Sequence, residues 1–212
     1  MGMLSLDGAD VIARNRGEAI VVCTMTTIMT FAQRHPHPLN MRIAPLMGGA
    51  SSIGLGLALA LPGKRVLVLD GDGSLAMQLG TVLTISEAAP ENLYHFVFHN
   101  GVLYEGGGRL PIAGSGIADL AGIARSAGYS AVRSYRRLPE LEEDMENLLA
   151  LRGPVFILLE IDIPPTPRWS EDNTQAELPD WWFTQMYEDA RRIKKELLKA
   201  PANRNCQNAD QR

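Results

Sequence analysis

Short apolar runs alternate along the chain with segments of helical length. The runs at residues 19–23, 65–69, 93–98 and 154–161 are rich in Val, Ile, Leu and Phe. Continuous apolar runs of this length are typical of parallel strands that are covered on both faces. A more polar run at residues 130–134 predicts a further, more exposed strand. The alternation predicts a doubly wound α/β domain, with a mostly parallel sheet of about six strands and helices on both faces.

Helical segments separate these runs. Residues 51–61 are apolar all round and are followed by Pro62, which predicts a buried helix that ends there and is capped by Ser51 and Ser52. The small residues of this segment predict close packing on the sheet. Further helices are predicted at residues 74–89, 117–127 and 138–151. Each is expected to connect two parallel strands across one face of the sheet.

The chain changes character after residue 163. Residues 163–167 contain three prolines, which exclude a regular helix or strand there. We therefore predict a folded domain, a Pro-rich linker with a C-terminal helix, and a disordered tail. These segments cover residues 1–163, 164–200 and 201–212.

The C-terminal helix, predicted over residues 180–199, is amphipathic. Its apolar stripe consists of Trp182, Met186, Ala190, Ile193 and Leu197. Two interpretations stay open. The helix is either an arm that folds back on its own domain or an element that docks on a partner subunit, where tryptophans are common anchors.

Composition narrows the possible function classes. A length of 212 residues permits one domain of ordinary size with a large core. The apolar content of 46% and the charged content of 21% are typical of soluble globular proteins. A net charge of −4 gives no basic footprint for nucleic acid or for an anionic membrane. The sequence contains no apolar run of transmembrane length and no signal-peptide pattern, so we expect no membrane partner.

The two cysteines lie in different contexts. Cys23 is inside an apolar run, whereas Cys206 lies in the polar tail. Neither suggests a disulfide framework, so we expect a cytoplasmic protein.

Two polar residues follow neighbouring predicted strands. Asp72 comes just after the second apolar run, and Asn100 comes just after the third. A strand–helix–strand unit places both at the carboxyl edge of the sheet, where ligands bind in open α/β folds. Carboxylate and amide oxygens suit Mg²⁺, which keeps positions open for phosphate oxygens. Gly73 and Ser74 then begin a predicted helix whose N–H groups face an anion. The pattern predicts a metal-bridged diphosphate site.

An Asp-Gly hairpin turn at residues 70–74, with an unrelated turn at Asn100, is the other interpretation. A hairpin needs a second strand directly after the turn, whereas a segment of helical length follows Ser74. This favours the ligand site.

The series Gly71-Asp72-Gly73 followed by Asn100 resembles the cofactor motif of enzymes that use thiamine diphosphate (ThDP), in which Gly-Asp-Gly precedes Asn at a similar spacing. The resemblance implies that the Asp72 carboxylate, the Asn100 side chain and the Val102 carbonyl bind Mg²⁺. The implied contacts to the cofactor are Gly71, Gly73 and Ser74. ThDP and Mg²⁺ are therefore the expected cofactors.

A second segment, residues 44–56, resembles the family segment that precedes the metal motif. In the family a large apolar residue followed by Gly separates the two rings of ThDP. The resemblance implies that Met47, followed by Gly48, has this role, and that the Pro45 carbonyl accepts a hydrogen bond from the cofactor's amino group. The other interpretation makes Met47 an ordinary core residue.

Three more residues lie where the family places its site. Thr26 and Thr27 follow the first apolar run, where family members contact the cofactor, although a threonine there is also a common helix cap. His99 precedes the predicted metal ligand and is either a site residue or a packed one.

The resemblance extends from about residue 18 to about residue 163 and is closest to the decarboxylases of sulfopyruvate and phosphonopyruvate. It implies decarboxylation of a small 2-oxo acid of that type. The chain departs from the group's pattern at His99, Leu103 and Arg109, on the loop nearest the expected substrate.

ThDP enzymes contain two related α/β domains. One binds the diphosphate, and the other holds the pyrimidine ring and supplies an activating Glu. Only the first kind is recognisable here, so the resemblance implies a β-type subunit of a hetero-oligomer with a pyrimidine-binding α-type subunit. A subunit of an acetolactate synthase-like carboligase and a non-catalytic ThDP-binding or partner-stabilising subunit are the alternatives.

Overall fold

A computed structural model describes residues 2–44, 46–103, 109–163 and 181–199. Its strands are β1 Met3–Leu4, β2 Ile20–Thr24, β3 Asn40–Ile43, β4 Val66–Gly71, β5 Leu93–His99, β6 Val102–Leu103, β7 Leu110–Pro111, β8 Ala131–Tyr135 and β9 Val155–Asp162. Its α-helices are α1 Ser5–Asn15, α2 Gly49–Ala60, α3 Asp72–Met77, α4 Thr81–Ala88, α5 Leu120–Ala127, α6 Leu138–Ala150 and α7 Trp181–Lys199, and a π-helix covers Ile28–Gln33.

One parallel sheet organises the described part of the chain. Its strand order is β1–β9–β5–β4–β2–β3, and β8 pairs with β9 as well. Strands β6 and β7 form a separate antiparallel hairpin. The strand order reverses between β2 and β4, because β3 lies outside β2 on one side and β5 lies outside β4 on the other. Ligands of doubly wound folds bind at the carboxyl ends of the strands at such a reversal.

Helices cover both faces of the sheet, as the alternation of apolar runs predicted. Along β4, Val66 and Val68 enter the core beneath α2, α4 and α5, whereas Leu67 and Leu69 enter the core beneath α1 and α6. Successive strand residues point to opposite faces, and each face here is buried. This explains why the strands are apolar throughout.

The first predicted helix forms as α2, but its start differs from the prediction. Helix α2 begins at Gly49, so Ser51 and Ser52 lie inside the helix and cap nothing. The residue before the helix is Gly48, whose φ of 80° is left-handed. Close packing on the sheet is confirmed, because a Cβ on Gly54 would lie 2.2 Å from Val68 Cγ2.

The helix predicted over residues 74–89 is two helices, α3 and α4. Gln78 ends α3 with non-helical dihedral angles (φ −135°, ψ 45°), and Gly80 precedes α4. The break places the Gln78 side chain against Gly48, where an added Cβ would lie 2.6 Å from Gln78 Cγ. Tertiary packing thus interrupts a segment of sufficient helical length.

The predicted C-terminal helix forms as α7 and lies against the edge strand β3, so the arm folds back on its own domain. Ile193 is buried in the core, and Met186 and Leu197 pack beside it. Ala190 is exposed, so its assignment to the apolar stripe was wrong. The neighbouring Asp189 is buried instead, and it contacts Arg42. None of the described helices is long and apolar enough to cross a bilayer.

The linker and the tail predicted after residue 163 lie outside the described residues, except for α7. The side chain of Trp182 is not described either. The division of the chain into three segments therefore stays a prediction.

Candidate cofactor site

Asp72 joins the end of β4 to the loop that follows β5. Its carboxyl oxygen Oδ2 accepts hydrogen bonds from the backbone N–H groups of Asn100 (2.9 Å) and Gly101 (2.6 Å). The same oxygen lies 2.9 Å from His99 Nδ1, and Oδ1 accepts the N–H of Gly73 at 2.7 Å. Only 3% of Asp72 is exposed. The structure thus brings Asp72 and Asn100 together at the strand-order reversal.

The Asn100 side chain shapes the loop in which it lies. Its Oδ1 accepts the N–H of Val102 at 3.0 Å, which closes a short Asx turn. Gly101, at the centre of this turn, has a left-handed φ of 75°. Val102 then enters the β6–β7 hairpin, where it pairs with Pro111. Two of the predicted metal ligands, Asn100 and Val102, therefore lie in one short turn, and Asp72 is bonded to that turn through the N–H groups of Asn100 and Gly101.

His99 lies beside Asp72 at the carboxyl end of β5. The contact with Asp72 raises the pKa of His99 above its ordinary value, although partial burial of the ring opposes this shift. The His99 side chain is 28% exposed. Of the two interpretations of His99, the structure therefore favours a residue of the site.

The loop around Gly48 is fastened to α3. The Gly48 N–H donates to Ser74 Oγ at 2.9 Å, and Ser74 is 2% exposed. Met47 is only half-buried and is not part of either core, which argues against the core interpretation of this residue. Pro45, the other residue predicted in this loop, lies outside the described residues.

The two glycines that flank Asp72 have different surroundings. A Cβ on Gly73 would lie 2.3 Å from Leu103 Cδ2 and 3.2 Å from Ile112 Cγ2, so the β6–β7 hairpin packs directly on this glycine. None of the described residues lies within 4 Å of the corresponding position on Gly71. Packing among the described residues therefore explains the glycine at 73 but leaves open space at 71.

Thr26 and Thr27 have separate roles at the end of β2. Thr27 Oγ1 accepts the N–H of Thr24 and lies 2.8 Å from the carbonyl oxygen of Leu69, so it links β2 to β4 across the strand-order reversal. Thr27 precedes the π-helix, but its hydroxyl makes no capping bond. Thr26 is half-buried and remains the candidate for a ligand contact. Met25 has a left-handed φ of 49°, a strained conformation that often marks a functional loop.

A profile of the family described as "Thiamine pyrophosphate enzyme, C-terminal TPP binding domain" matches residues 20–159. The chain belongs to this family. Thiamine pyrophosphate (TPP) is the same compound as ThDP, so the family match confirms the resemblance and the thiamine cofactor that it implied.

Two similar enzymes have specific names. The chain is 41% identical over 115 residues to a phosphonopyruvate decarboxylase of Streptomyces viridochromogenes. This match covers 54% of this chain and 28% of that enzyme. It is also 41% identical over 119 residues to the sulfopyruvate decarboxylase subunit beta of Methanothermobacter thermautotrophicus. This match covers 56% of this chain and 60% of that subunit. The chain therefore matches less than two thirds of the length of either relative.

A solved structure shows the same fold. The crystal structure of benzoylformate decarboxylase from Polynucleobacter necessarius matches with a TM-score of 0.62 and 18% identity. The match covers 76% of this chain and 33% of that one. At this identity the likeness supports the α/β fold and nothing more specific.

The oxygen atoms of this TPP-binding domain suit Mg²⁺ bound together with a diphosphate. Asp72 Oδ1 accepts one hydrogen bond among the described residues, and a carboxyl oxygen has room for two. The described residues contain no cluster of three His, Cys, Asp or Glu side chains that could hold a metal ion by themselves. A single carboxylate still fits Mg²⁺, because this ion fills its other positions with carbonyl, phosphate and water oxygens.

Proposed function

We propose that this chain is the ThDP- and Mg²⁺-binding β-type subunit of a 2-oxo acid decarboxylase. The observation that carries the proposal is the buried Asp72 carboxyl, which is bonded to the Asn100–Gly101 loop at the strand-order reversal. The family and the names of two relatives support it.

In this proposal, different residues around Asp72 bind the metal ion and the diphosphate. Asp72, Asn100 and the Val102 carbonyl bind Mg²⁺, which links the chain to the cofactor's diphosphate. Gly71, Gly73 and Ser74 lie against that diphosphate, and the open space at Gly71 leaves room for it.

The rest of the cofactor is held by Met47, Gly48, Pro45 and Thr26, of which Met47 and Thr26 are half-buried. Bound ThDP supplies carbanion stabilisation, and the protein supplies orientation and electrostatics. A pyrimidine-binding α-type subunit completes the site in a hetero-oligomer and carries the activating Glu. The proposed substrate is a small 2-oxo acid with a second acidic group, such as sulfopyruvate or phosphonopyruvate. We place the assembly in the cytoplasm, which suits the buried free thiol of Cys23.

Calorimetric titration of the chain with ThDP tests the cofactor site. We expect binding that requires Mg²⁺ and that is lost in Asp72→Ala, because the anionic diphosphate is attracted to this carboxyl only through a cation. Asp10→Ala is the control, since Asp10 pairs with Arg34 and His35 away from the site. Equal affinity with and without a chelator would contradict the metal-bridged site.

The reaction is tested on the chain purified together with its α-type subunit. We expect CO₂ release from sulfopyruvate or phosphonopyruvate, and none from the isolated chain. Formation of acetolactate from pyruvate would instead favour the carboligase alternative. ThDP binding without turnover of any 2-oxo acid would favour the non-catalytic one.

A further inference from the structure

Behind Asp72, two polar side chains face each other in the core. Asp70 on β4 and His95 on β5 are fully buried. Asp70 Oδ1 accepts the N–H of Gly71 at 2.9 Å, and Asp70 Oδ2 lies 3.5 Å from His95 Nε2. Within the described residues, neither Oδ2 nor Nε2 has a hydrogen-bond partner. Each atom is therefore the available polar neighbour of the other.

Tyr129 fixes the other side of the imidazole ring. The Tyr129 hydroxyl lies 3.1 Å from His95 Nδ1. Burial, together with the nearby Asp70, raises the pKa of Tyr129, so the phenol stays protonated. When its hydroxyl donates to Nδ1, the ring presents an N–H at Nε2, the atom that faces Asp70. Phe156 packs edge-on against both rings, at 5.4 Å from His95 and 5.5 Å from Tyr129.

Tyr129, His95 and Asp70 form a polar series in an apolar core. Such a series lowers the stability of the fold, because buried polar groups with poor hydrogen bonds lose their hydration without full compensation. Its neighbours on this face of the sheet are Val68, Val97 and Leu158. The series ends at the Gly71 N–H, directly before Asp72. Its position therefore indicates a role in the orientation of Asp72.

We propose that His95 is a positioning residue for the cofactor site. His95 holds the Asp70 carboxyl, Asp70 holds the Gly71 peptide, and this peptide sets the direction in which the Asp72 carboxyl meets the Asn100 loop. The inference rests on the proposed function for the identity of the ligand. Groups that orient a metal-binding side chain commonly change metal affinity by about 10- to 100-fold when they are removed.

Two substitutions of similar size separate positioning from packing. His95→Gln keeps an N–H near the position of Nε2, whereas His95→Asn keeps a polar group only near Nδ1. In the ligand-free chain we expect the amides of Asn100 and Gly101 to exchange with solvent about 10-fold faster in His95→Asn. They should exchange at the wild-type rate in His95→Gln, and the amide of Val21 on β2, which bonds to Leu39, should be unchanged in both.

Calorimetry with ThDP and Mg²⁺ gives a second measurement on the same chains. We expect the affinity to fall about 10-fold in His95→Asn and to stay near the wild-type value in His95→Gln. Equal behaviour of the two variants, or faster exchange spread evenly over the sheet, would overturn the proposal. Absence of ThDP binding by the wild-type chain would refute the proposed function, and the exchange rates would still decide the role of His95.

Discussion

The backbone N–H of Gly48 donates a 2.9 Å hydrogen bond to the hydroxyl of Ser74. This bond joins the loop before α2, where Met47 lies, to the first turn of α3, where Asp72 lies. The two segments that sequence resemblance assigns to the same cofactor are therefore held together in the chain itself. The site is partly preorganised by bonds within the protein.

Ser74→Ala should lower the free energy of unfolding by about 1–3 kcal/mol, because the buried Gly48 N–H loses its acceptor. Ser52→Ala is the matched control, since Ser52 is exposed on α2 and Ala favours helix. Urea unfolding of both variants measures the difference. An equal effect of the two substitutions would mean that the bond contributes little to stability.

The glycines at 71 and 73 should respond differently to an added methyl group. Gly73→Ala should destabilise the ligand-free chain by about 1–3 kcal/mol, because the new Cβ would overlap Leu103 and crowd Ile112. Gly71→Ala should change stability by no more than about 0.5 kcal/mol, since its Cβ contacts none of the described residues and its φ of −104° is ordinary. Thermal unfolding without cofactor measures the loss of stability in both variants. A larger loss in Gly71→Ala than in Gly73→Ala would contradict this prediction.

Asp72 and Asn100 show which part of the site can be predicted from the sequence. The proximity of Asp72 and Asn100 was predictable, because each follows an apolar strand and parallel strands end at one edge. Their actual contact, two backbone N–H groups on Asp72 Oδ2, depends on the left-handed turn at Gly101. A spacing of residue types does not specify such a turn.

Other features could not be predicted from the sequence, because they depend on contacts between residues that are far apart along the chain. Strand β3 is short and carries Asn40 and Arg42, so it has no apolar pattern. The sequence pattern places Asp189 on the polar side of an amphipathic helix, and only the tertiary contact with Arg42 explains its burial. His95 lies in an apolar strand segment, and Asp70 and Tyr129 converge on it only in the fold.

Met47→Ala should lower the turnover number of the assembled enzyme by about 10-fold or more, while Mg²⁺-dependent ThDP affinity changes little. The reason is that Met47 is proposed to set the cofactor's bent geometry, and small misplacements at a reacting centre cost large factors in rate. Met77→Ala is the control, because Met77 is 56% exposed. Loss of folded protein without a selective loss of rate would restore the interpretation of Met47 as a core residue.

His99 should make the stability of the ligand-free chain depend on pH. Its pKa is raised above the ordinary 6.5, chiefly by the contact with Asp72, so the folded state binds the proton more tightly than the unfolded state does. The resulting stabilisation is fully present below about pH 6.5 and is lost as the pH rises through the folded-state pKa. Urea unfolding between about pH 5.5 and 8.5 should show this decline in the wild type and a smaller one in His99→Gln. Parallel curves for the two proteins would exclude the contact as its cause.

Asp189 should hold α7 on the domain. Its carboxyl is fully buried and accepts bonds from the Arg42 backbone N–H (3.0 Å), Arg42 Nε (2.7 Å) and Arg42 Nη2 (2.7 Å), while Arg192 Nη2 lies 2.7 Å away. Asp189→Ala leaves the partly buried Arg42 guanidinium without this partner, which should cost roughly 3–5 kcal/mol. The expected result is a lower urea midpoint together with rapid tryptic cleavage within residues 181–199, because a detached helix exposes its lysines and arginines. Glu188→Ala, an exposed change on the same helix, should alter neither property. Slow cleavage in Asp189→Ala would show that Ile193 and its apolar neighbours are sufficient to keep α7 in place.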